Sequence, residues 1–454
     1  MRSSVATATD AVAFEPTDAG LDAILRVIAE RDGDAAAAAE RPQRERALAR
    51  YHALPAPGLR PSRGWRHDYD KLDLHGLRWT TGEIAIPTSP FDALAALTAP
   101  READIDVPAL ATENAAGLVH VGARAVHQTT PQSLPDGVIV TPFDRALREH
   151  AGASDTDRFG ALADAFRNCG AFVSVPDDVV VEKPIQLVFA TPDGSDDAVF
   201  PRIVVVLGRG ARATVIERHV GSADALVCGN VFVSASQGAE LDYVAVQQAG
   251  ENARVFMYRT GDCAADATVR FHVAELGGTL VRSVVDTKLS SRGARAETSA
   301  LFFNTGFQHV DMSTTTTHVV GDTTSDTVVR SAASDRGQGR FVGNIAIVAG
   351  AHGADASLRD DALLLSKRAH IDSVPALEIA ANDVKAFHGA TVGSLDEEAL
   401  FYAGSRGIAR PDAVRMVALA FFERAIARFP SEALRDEIRT ALDRKIDAAT
   451  DIDG

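Results

Sequence analysis

From about Val173 to about residue 385 the chain alternates apolar and polar residues and carries no long helical pattern. Val269, Phe271 and Val273 alternate with Arg270 and His272; Phe341, Gly343, Ile345 and Ile347 share one parity, as do Ile371, Ser373, Pro375, Leu377 and Ile379. A period of two sends successive side chains to opposite faces, so each run buries one face and turns the other outward. Gly208, Gly221, Gly238, Gly250, Gly261, Gly277, Gly293, Gly306 and Gly321 punctuate the stretch. Their spacing of about ten to fifteen residues is that of strands and turns. About two hundred residues of this kind admit a sandwich, a barrel or a β-helix of stacked coils. Inward positions are often Ala, Ser, Thr or Gly beside Val and Ile, which suits the narrow interior of a β-helix better than a thick sandwich core. The absence of a strict hexapeptide repeat argues against a left-handed helix of the acyltransferase type.

Helical regions flank this core. Residues 1–16 read as a disordered lead, 17–170 as a helical and mixed region, 171–392 as the β-helix, and 393–454 as a C-terminal helical region. Leu21, Ile24, Leu25, Val27 and Ile28 have helical spacing, and the alanines at 35–39 continue the helix until Pro55, Pro57 and Pro61 end it. Further helices are expected near 144–150 and 158–168. Ser394-Leu395-Asp396-Glu397 reads as a capping box with Ser394 at the N-cap. After Pro411, the residues Val414, Val417, Leu419, Phe421, Phe422, Ile426 and Phe429 form a wide apolar stripe among charged residues.

A length of 454 residues predicts two or three structural units. The net charge of −16 disfavours both nucleic acid and anionic membrane surfaces. No apolar run approaches the ~18 residues of a membrane span. The N-terminus lacks the basic start and apolar core of a secretory signal. Cys169, Cys228 and Cys263 make neither a disulfide framework nor a CxxC pair, which predicts structural thiols in a reducing cytoplasm. There is no P-loop, no dinucleotide fingerprint (Gly208-Arg209-Gly210 reads as a turn), no GxSxG elbow and no HExxH.

Three histidines carry candidate chemistry. His309 and Asp311 share a strand face and His318 follows, so a metal site can be drawn from them. Hydrogen-bonded residues on a polar strand face are the favoured reading. His388 stands where the strands end, beside Gly389. It is a candidate metal ligand, although spacing alone favours a structural histidine. The Phe421/Phe422 stripe reads as core before it reads as a docking face. Trp65, near Tyr69, reads as a packing anchor.

Residues 383–408, DVKAFHGATVGSLDEEALFYAGSRGI, resemble the C-terminal signature of SufD-type members of the SufB/SufD family, the scaffold proteins of SUF iron–sulfur cluster assembly. The FVGNI run at 341–345, LLLS at 363–366, PALEI at 375–379, QHVD at 308–311 and WRH at 65–67 resemble further elements of that family in the same order. The resemblance implies a right-handed parallel β-helix flanked by helical regions. It implies a cytoplasmic, non-catalytic subunit that pairs with a SufB-like paralogue and binds a SufC-like ATPase, which would hydrolyse the ATP. The ATPase would dock on the C-terminal helices, near 394–430, where Leu400, Phe401, Tyr402, Val414, Val417, Phe421 and Phe422 are candidate contacts. ATP-driven closure of two ATPase copies would then strain the SufB–SufD interface. By motif position His388 would help hold the nascent cluster there. SufB-type chains carry His-Glu at this motif and a late sulfur-accepting cysteine; this chain has His388-Gly389 and no cysteine beyond 263, which favours the SufD type.

The resemblance implies no firmly bound cofactor, only a transient iron–sulfur cluster in the complex. Reduced flavin is associated with such complexes, but no flavin motif is present. A homodimer of the isolated chain is compatible with the sequence. Two departures stand out: Ala386-Phe387 replaces the Cys-Ser of many relatives, and Ala362 the frequent Asn before LLLS. Two alternatives remain open: a SufB-like chain that carries the cluster itself, and a β-helix carbohydrate-active enzyme. The enzyme would need carboxylates on one outward face, for which Asp322, Asp326, Asp335 and Asp355 are candidates that fit turns better.

Overall fold

The computed structural model describes residues 11–55, 69, 72–74, 76–80, 116–128, 134–142, 157–191, 196–221 and 224–449. Its centre is a parallel β-solenoid of about eight coils, each giving one strand to each of two sheets. The first sheet stacks β6 (Cys169–Val175), β9 (Pro201–Leu207), β11 (Leu226–Ala235), β13 (Arg254–Cys263), β15 (Leu280–Leu289), β17 (His309–His318), β19 (Gln338–Ile347) and β21 (His370–Ile379). The second stacks β7 (Ile185–Thr191), β10 (Arg212–Gly221), β12 (Glu240–Ala249), β14 (Thr268–Glu275), β16 (Arg295–Asn304), β18 (Thr324–Ala333), β20 (Asp355–Leu364) and β22 (Lys385–Ser394). At the N-terminal end β5 (Ile139–Pro142) runs antiparallel to β6, while β3 (Ala116–Val121) pairs with β7 and with the antiparallel β4 (Arg124–Gln128). The short β8 (Ala198–Val199) pairs with β11. The expectation of a β-helix with helices at both ends is met.

The coil repeat explains the glycine pattern. Arg282, Asp311 and Arg340 stack in one column, each 29 residues from the next. Every coil turns a corner on one residue in the left-handed region: Asp178, Gly210, Gly238, Asp266, Gly293, Asp322, Gly353 and Asp383, with φ between 54° and 76°. These residues bond coil to coil, as in Gly238 N–H to Ala265 O at 2.9 Å and Gly353 N–H to Asp383 O at 2.8 Å. Gly meets no Cβ penalty there, and Asp is among the few other residues that tolerate it. The shorter glycine interval read from the sequence arises because each coil has two corners.

Parity then fills the bore. Val215, Tyr243, Phe271, Thr298, Thr327 and Leu358 form one continuous inward column of the second sheet. Opposite them lie Val231, Val255, Val281, Met312, Phe341 and Ile345 in the same core.

The outer faces are covered by different ends of the chain. Helices α1 (Asp18–Asp32), α2 (Asp34–Ala53) and α3 (Arg158–Phe166) close over Leu226, Cys228, Phe256, Tyr258 and Leu280 of the first sheet. They are joined there by β1 (Ala11–Ala13), which pairs antiparallel with β2 (Arg78–Thr80). Helices α4 (Glu397–Ser405), α5 (Arg410–Ile426) and α6 (Glu432–Ala448) follow the last coil. The last two pack on the outer face of the second sheet, against Ile216, Val244, Ala274, Leu301, Phe303, Ala332 and Leu363.

Four expectations need correction or lie outside the described residues. Residues 11–16 are not a disordered lead: Phe14 is buried against the rings of Phe166 and Phe200, which anchors β1. Ser394 does not cap α4, because β22 runs in register to Ser394 opposite Leu364. Asp396 is the N-cap, accepting from Glu398 N–H at 2.9 Å and from Ala399 N–H at 3.3 Å. The expected helix at 144–150 and the Trp65 anchor lie outside the described residues, as do residues 1–10. Among the described residues no helix is long and apolar enough to cross a membrane.

Candidate functional site

Charge inside a dry solenoid is costly, so each buried ionic group shows either how it is paired or where it is left open. Midway along the bore Glu217 accepts from Arg259 Nη2 at 2.8 Å, from Arg259 Nε at 3.2 Å and from the Tyr243 hydroxyl at 2.5 Å, and it lies 2.6 Å from His219 Nε2. Burial pushes the Glu217 carboxyl up, but Arg259 and His219 outweigh it and hold the group well below the usual carboxylate range. This cluster bridges the two sheets, with Nδ1 of His219 left without a hydrogen-bond partner.

On the outside of the first sheet Asp311 accepts from Arg282 Nη1 at 3.2 Å and from Arg340 Nε at 3.1 Å, beneath the Tyr69 hydroxyl at 3.3 Å. Arg282 also reaches Asp157, the N-cap of α3, at 3.4 Å. The N-terminal region is thus latched to the solenoid by a buried ionic column. Asp311 and His309 face outward here, whereas His318 faces the bore, where its ring nitrogens meet Thr323 Oγ1 at 2.7 Å and Ser325 Oγ at 2.9 Å. The structure does not bring the three together as a metal site.

The open rim is different. β21 and β22 are the terminal strands of their sheets. His388 continues the inward column above Leu358, and among the described residues no further coil covers it. Its ring is half-buried and Nδ1 has no hydrogen-bond partner. In the coil beneath, Asp360 shares the inward parity of Ala356 and Leu358 and is 0% exposed. Its Oδ2 accepts a short hydrogen bond from Ser373 Oγ on β21, and its Oδ1 has no partner. Burial pushes the Asp360 carboxyl up to about 7, against the bond from Ser373. The sequence reading missed Asp360 and Ser373 as a pair. The available signal was an acid at a strand parity otherwise filled by Ala and Leu.

Helices α4 and α5 sort the other candidates. Leu400, Val414 and Phe422 are buried within the chain, Phe422 completely, so they are not surface contacts. Val417 and Phe421 are partly buried against the same clusters. Of the set, Phe401 at 80% and Tyr402 at 60% remain exposed, with Arg406 over the Tyr402 ring at 5.1 Å. Met416, not anticipated, is exposed as well. The alternation of α5 with bulky residues on several faces hid this division.

Cys169, Cys228 and Cys263 are free and buried. Burial raises all three thiols, Cys263 to about 12, which removes the nucleophilic thiolate. Among the carboxylates drawn for a carbohydrate enzyme, Asp322 and Asp335 occupy left-handed turn positions. Asp326 and Asp355, in contrast to the turn reading, lie on β18 and β20, and Asp326 is bound by Arg428 Nη2 at 2.5 Å.

The described residues thus form a two-sheet parallel β-solenoid with helices packed on both faces and His388 on its terminal strand. Residues 189–421 match the family model for SUF system FeS cluster assembly, SufBD core domain. The chain is 34% identical over 233 residues to the iron–sulfur cluster assembly protein SufD of Escherichia coli strain K12. That match spans 51% of this chain and about half, 54%, of the relative. It is 26% identical over 394 residues to SufD of Bacillus subtilis strain 168, covering 83% of this chain and 89% of the relative. To SufB of the same bacterium it is 23% identical over 387 residues, covering 82% and 79%. The chain belongs to the SufBD family of SUF-system iron–sulfur cluster assembly proteins.

Proposed function

We propose that this chain is a SufD-type scaffold subunit that pairs through its open rim with a SufB-type chain and docks a SufC-type ATPase on its C-terminal helices. The observation that carries the reading is the uncapped last coil. β21 and β22 each present an edge of backbone donors and acceptors, flanked by exposed Val374, Ile379, Phe387 and Val392. Such an edge is a template for strand addition and a liability when bare. A related solenoid offering its own terminal coil would satisfy both edges.

Within that interface His388 supplies an imidazole and the partner the thiolate that this chain lacks at the rim. The iron–sulfur cluster is the cargo assembled there. Phe401, Tyr402 and Met416 are the exposed apolar residues these helices offer the ATPase, so that closure of the ATPase pair pulls on α4, which follows β22 after Leu395 and Asp396. In this reading the chain performs no catalysis of its own.

The test is co-expression with the SufB-type and SufC-type proteins of the same source, followed by affinity capture and native mass measurement. The expected result is a complex of one SufB-type chain, one copy of this chain and two ATPase subunits. A chain that stays alone beside well-folded partners overturns the proposal.

A further inference from the structure

The C-terminal helices and the terminal coil meet at β20. Leu363 of this strand packs under the apolar side of α5 and α6, and β22 pairs with the same strand from Lys385 to Ser394. Apolar contact is non-directional. It holds a helix against a sheet without fixing where along the sheet the helix stands.

A buried guanidinium supplies the direction. Arg330 of β18 shares the outward parity of Ala332, which packs under the helices, and its side chain is 6% exposed. Its guanidinium carbon lies 5.5 Å from the centre of the Phe421 ring on α5. Its Nη1 lies 2.6 Å from Asp361 Oδ2 on β20, and the same oxygen accepts from Arg359 Nε at 3.0 Å. Arg330 pairs with Asp361 across the strands, and Thr391 of β22 is next in the column. Burial lowers the Arg330 pKa, Asp361 opposes the shift, and Arg424 of α5 adds to it. The guanidinium thus senses charge on the helix as well as on the strand.

The adjacent residue extends the tie inward. Asp360 turns to the bore and accepts from Ser373 Oγ of β21. Two successive residues of β20 therefore hold α5, through Arg330, on one face and β21 on the other. A planar guanidinium set between an aromatic ring and a carboxylate has little freedom to slide. A shift of α5 is then felt by β20 and, through it, by both terminal strands. A second polar contact joins Arg428 to Asp326, with Ser357 of β20 donating to the same carboxylate. It is partly open to solvent, and such pairs contribute little.

We propose that Arg330 is the positioning residue that couples the C-terminal helices to the terminal coil, acting between Phe421 and Asp361. The element it biases is the coil formed by β21 and β22, which lies at the end of both sheets and opens more easily than the coils beneath the helices. Its use by a docked ATPase rests on the proposed function; the coupling itself belongs to the isolated chain.

The experiment is native-state hydrogen exchange of the full-length chain, without partners, read by mass spectrometry of peptides from β14 and β22. Arg330→Met keeps an apolar stem under Phe421 and should speed exchange in β22 by about tenfold while leaving β14 unchanged. Arg330→Lys, which keeps the charge without the planar stack, should fall between the two. Phe421→Ala should speed β22 as well, and the double variant should be no faster than Arg330→Met alone, because the ring acts through the guanidinium. Arg428→Met should leave β22 within about twofold of the wild type. Unchanged β22 exchange in Arg330→Met, or effects of Arg330→Met and Phe421→Ala that multiply in the double variant, overturns the coupling. So does equal acceleration of β14 and β22, which marks a loss of global stability, and so does an equal effect of Arg428→Met. Because no partner is present, these failures are distinct from failure of the complex to form, which the co-expression capture reads.

Discussion

Arg340 lies one coil beyond Asp311 in the same column and grips its carboxylate with Nε at 3.1 Å and with Nη2. Removing one member of a buried ionic group strands the rest, at a cost of about 3–5 kcal/mol. Asp311→Ala should therefore lower the unfolding free energy measured by urea denaturation by an amount in that range. Tyr69→Phe, which removes one hydrogen bond to the same carboxylate, should cost only about 1 kcal/mol.

Phe422 and Phe401 are predicted to behave oppositely. Phe422→Ala empties a completely buried position between α5 and the second sheet and should cost about 3–5 kcal/mol in denaturant unfolding. Phe401→Ala, at an 80% exposed position, should leave stability within about 0.5 kcal/mol. In the reconstituted complex Phe401→Ala should instead weaken capture of the ATPase, by about tenfold if the ring is an interface anchor.

Acid should destabilise the fold through His318. Burial lowers its ring from 6.5 to about 4, so the unfolded chain takes up a proton before the folded one does. The stabilisation is fully present above pH 6.5 and is lost as pH falls toward 4. The slope is about 1.4 kcal/mol per pH unit for one such group. Urea midpoints measured at pH 4.5 and pH 7 should differ less in His318→Gln than in the wild type.

The thiols should be silent in the native state. Ellman's reagent at neutral pH should find no fast-reacting thiol among Cys169, Cys228 and Cys263, and all three after denaturation. Rapid stoichiometric labelling of the folded chain would contradict the burial described.

The corner column makes a backbone prediction. Asp322 sits at φ 54°, where an ordinary side chain costs about 1–2 kcal/mol. Asp322→Ala should lower stability by about that much, and Asp322→Gly should be close to neutral.

Much of this architecture is legible in the residues. The alternation of Val269, Phe271 and Val273 exposes strand parity directly, because pleating leaves no other way to bury one face. The coil length was not legible from glycine alone, since Asp178, Asp266, Asp322 and Asp383 take the same left-handed conformation and interrupt the glycine series. Ser394 misled because a capping signature is local, whereas the extent of β22 is set by its pairing with β20. His388 was found by motif. Asp360 and Ser373 were not, because their relation crosses from one sheet to the other and only the closed coil brings them together. The apolar stripe of α5 identified a packing helix but not which aromatic rings it hides, which depends on the sheet beneath.

A stack in which each coil touches only its neighbours is free to open piecemeal from either end. Helices α5 and α6 change that, since their apolar side lies across β10, β12, β14, β16, β18 and β20 together. Six strands at about 4.8 Å spacing extend about 24 Å, and the 17 residues of α6 extend about 25 Å at 1.5 Å per residue. The brace matches the span it grips and ties those coils into one cooperative block. β21 and β22 lie beyond its reach, so the rim coil that carries His388 is free to fray while the braced coils stay folded.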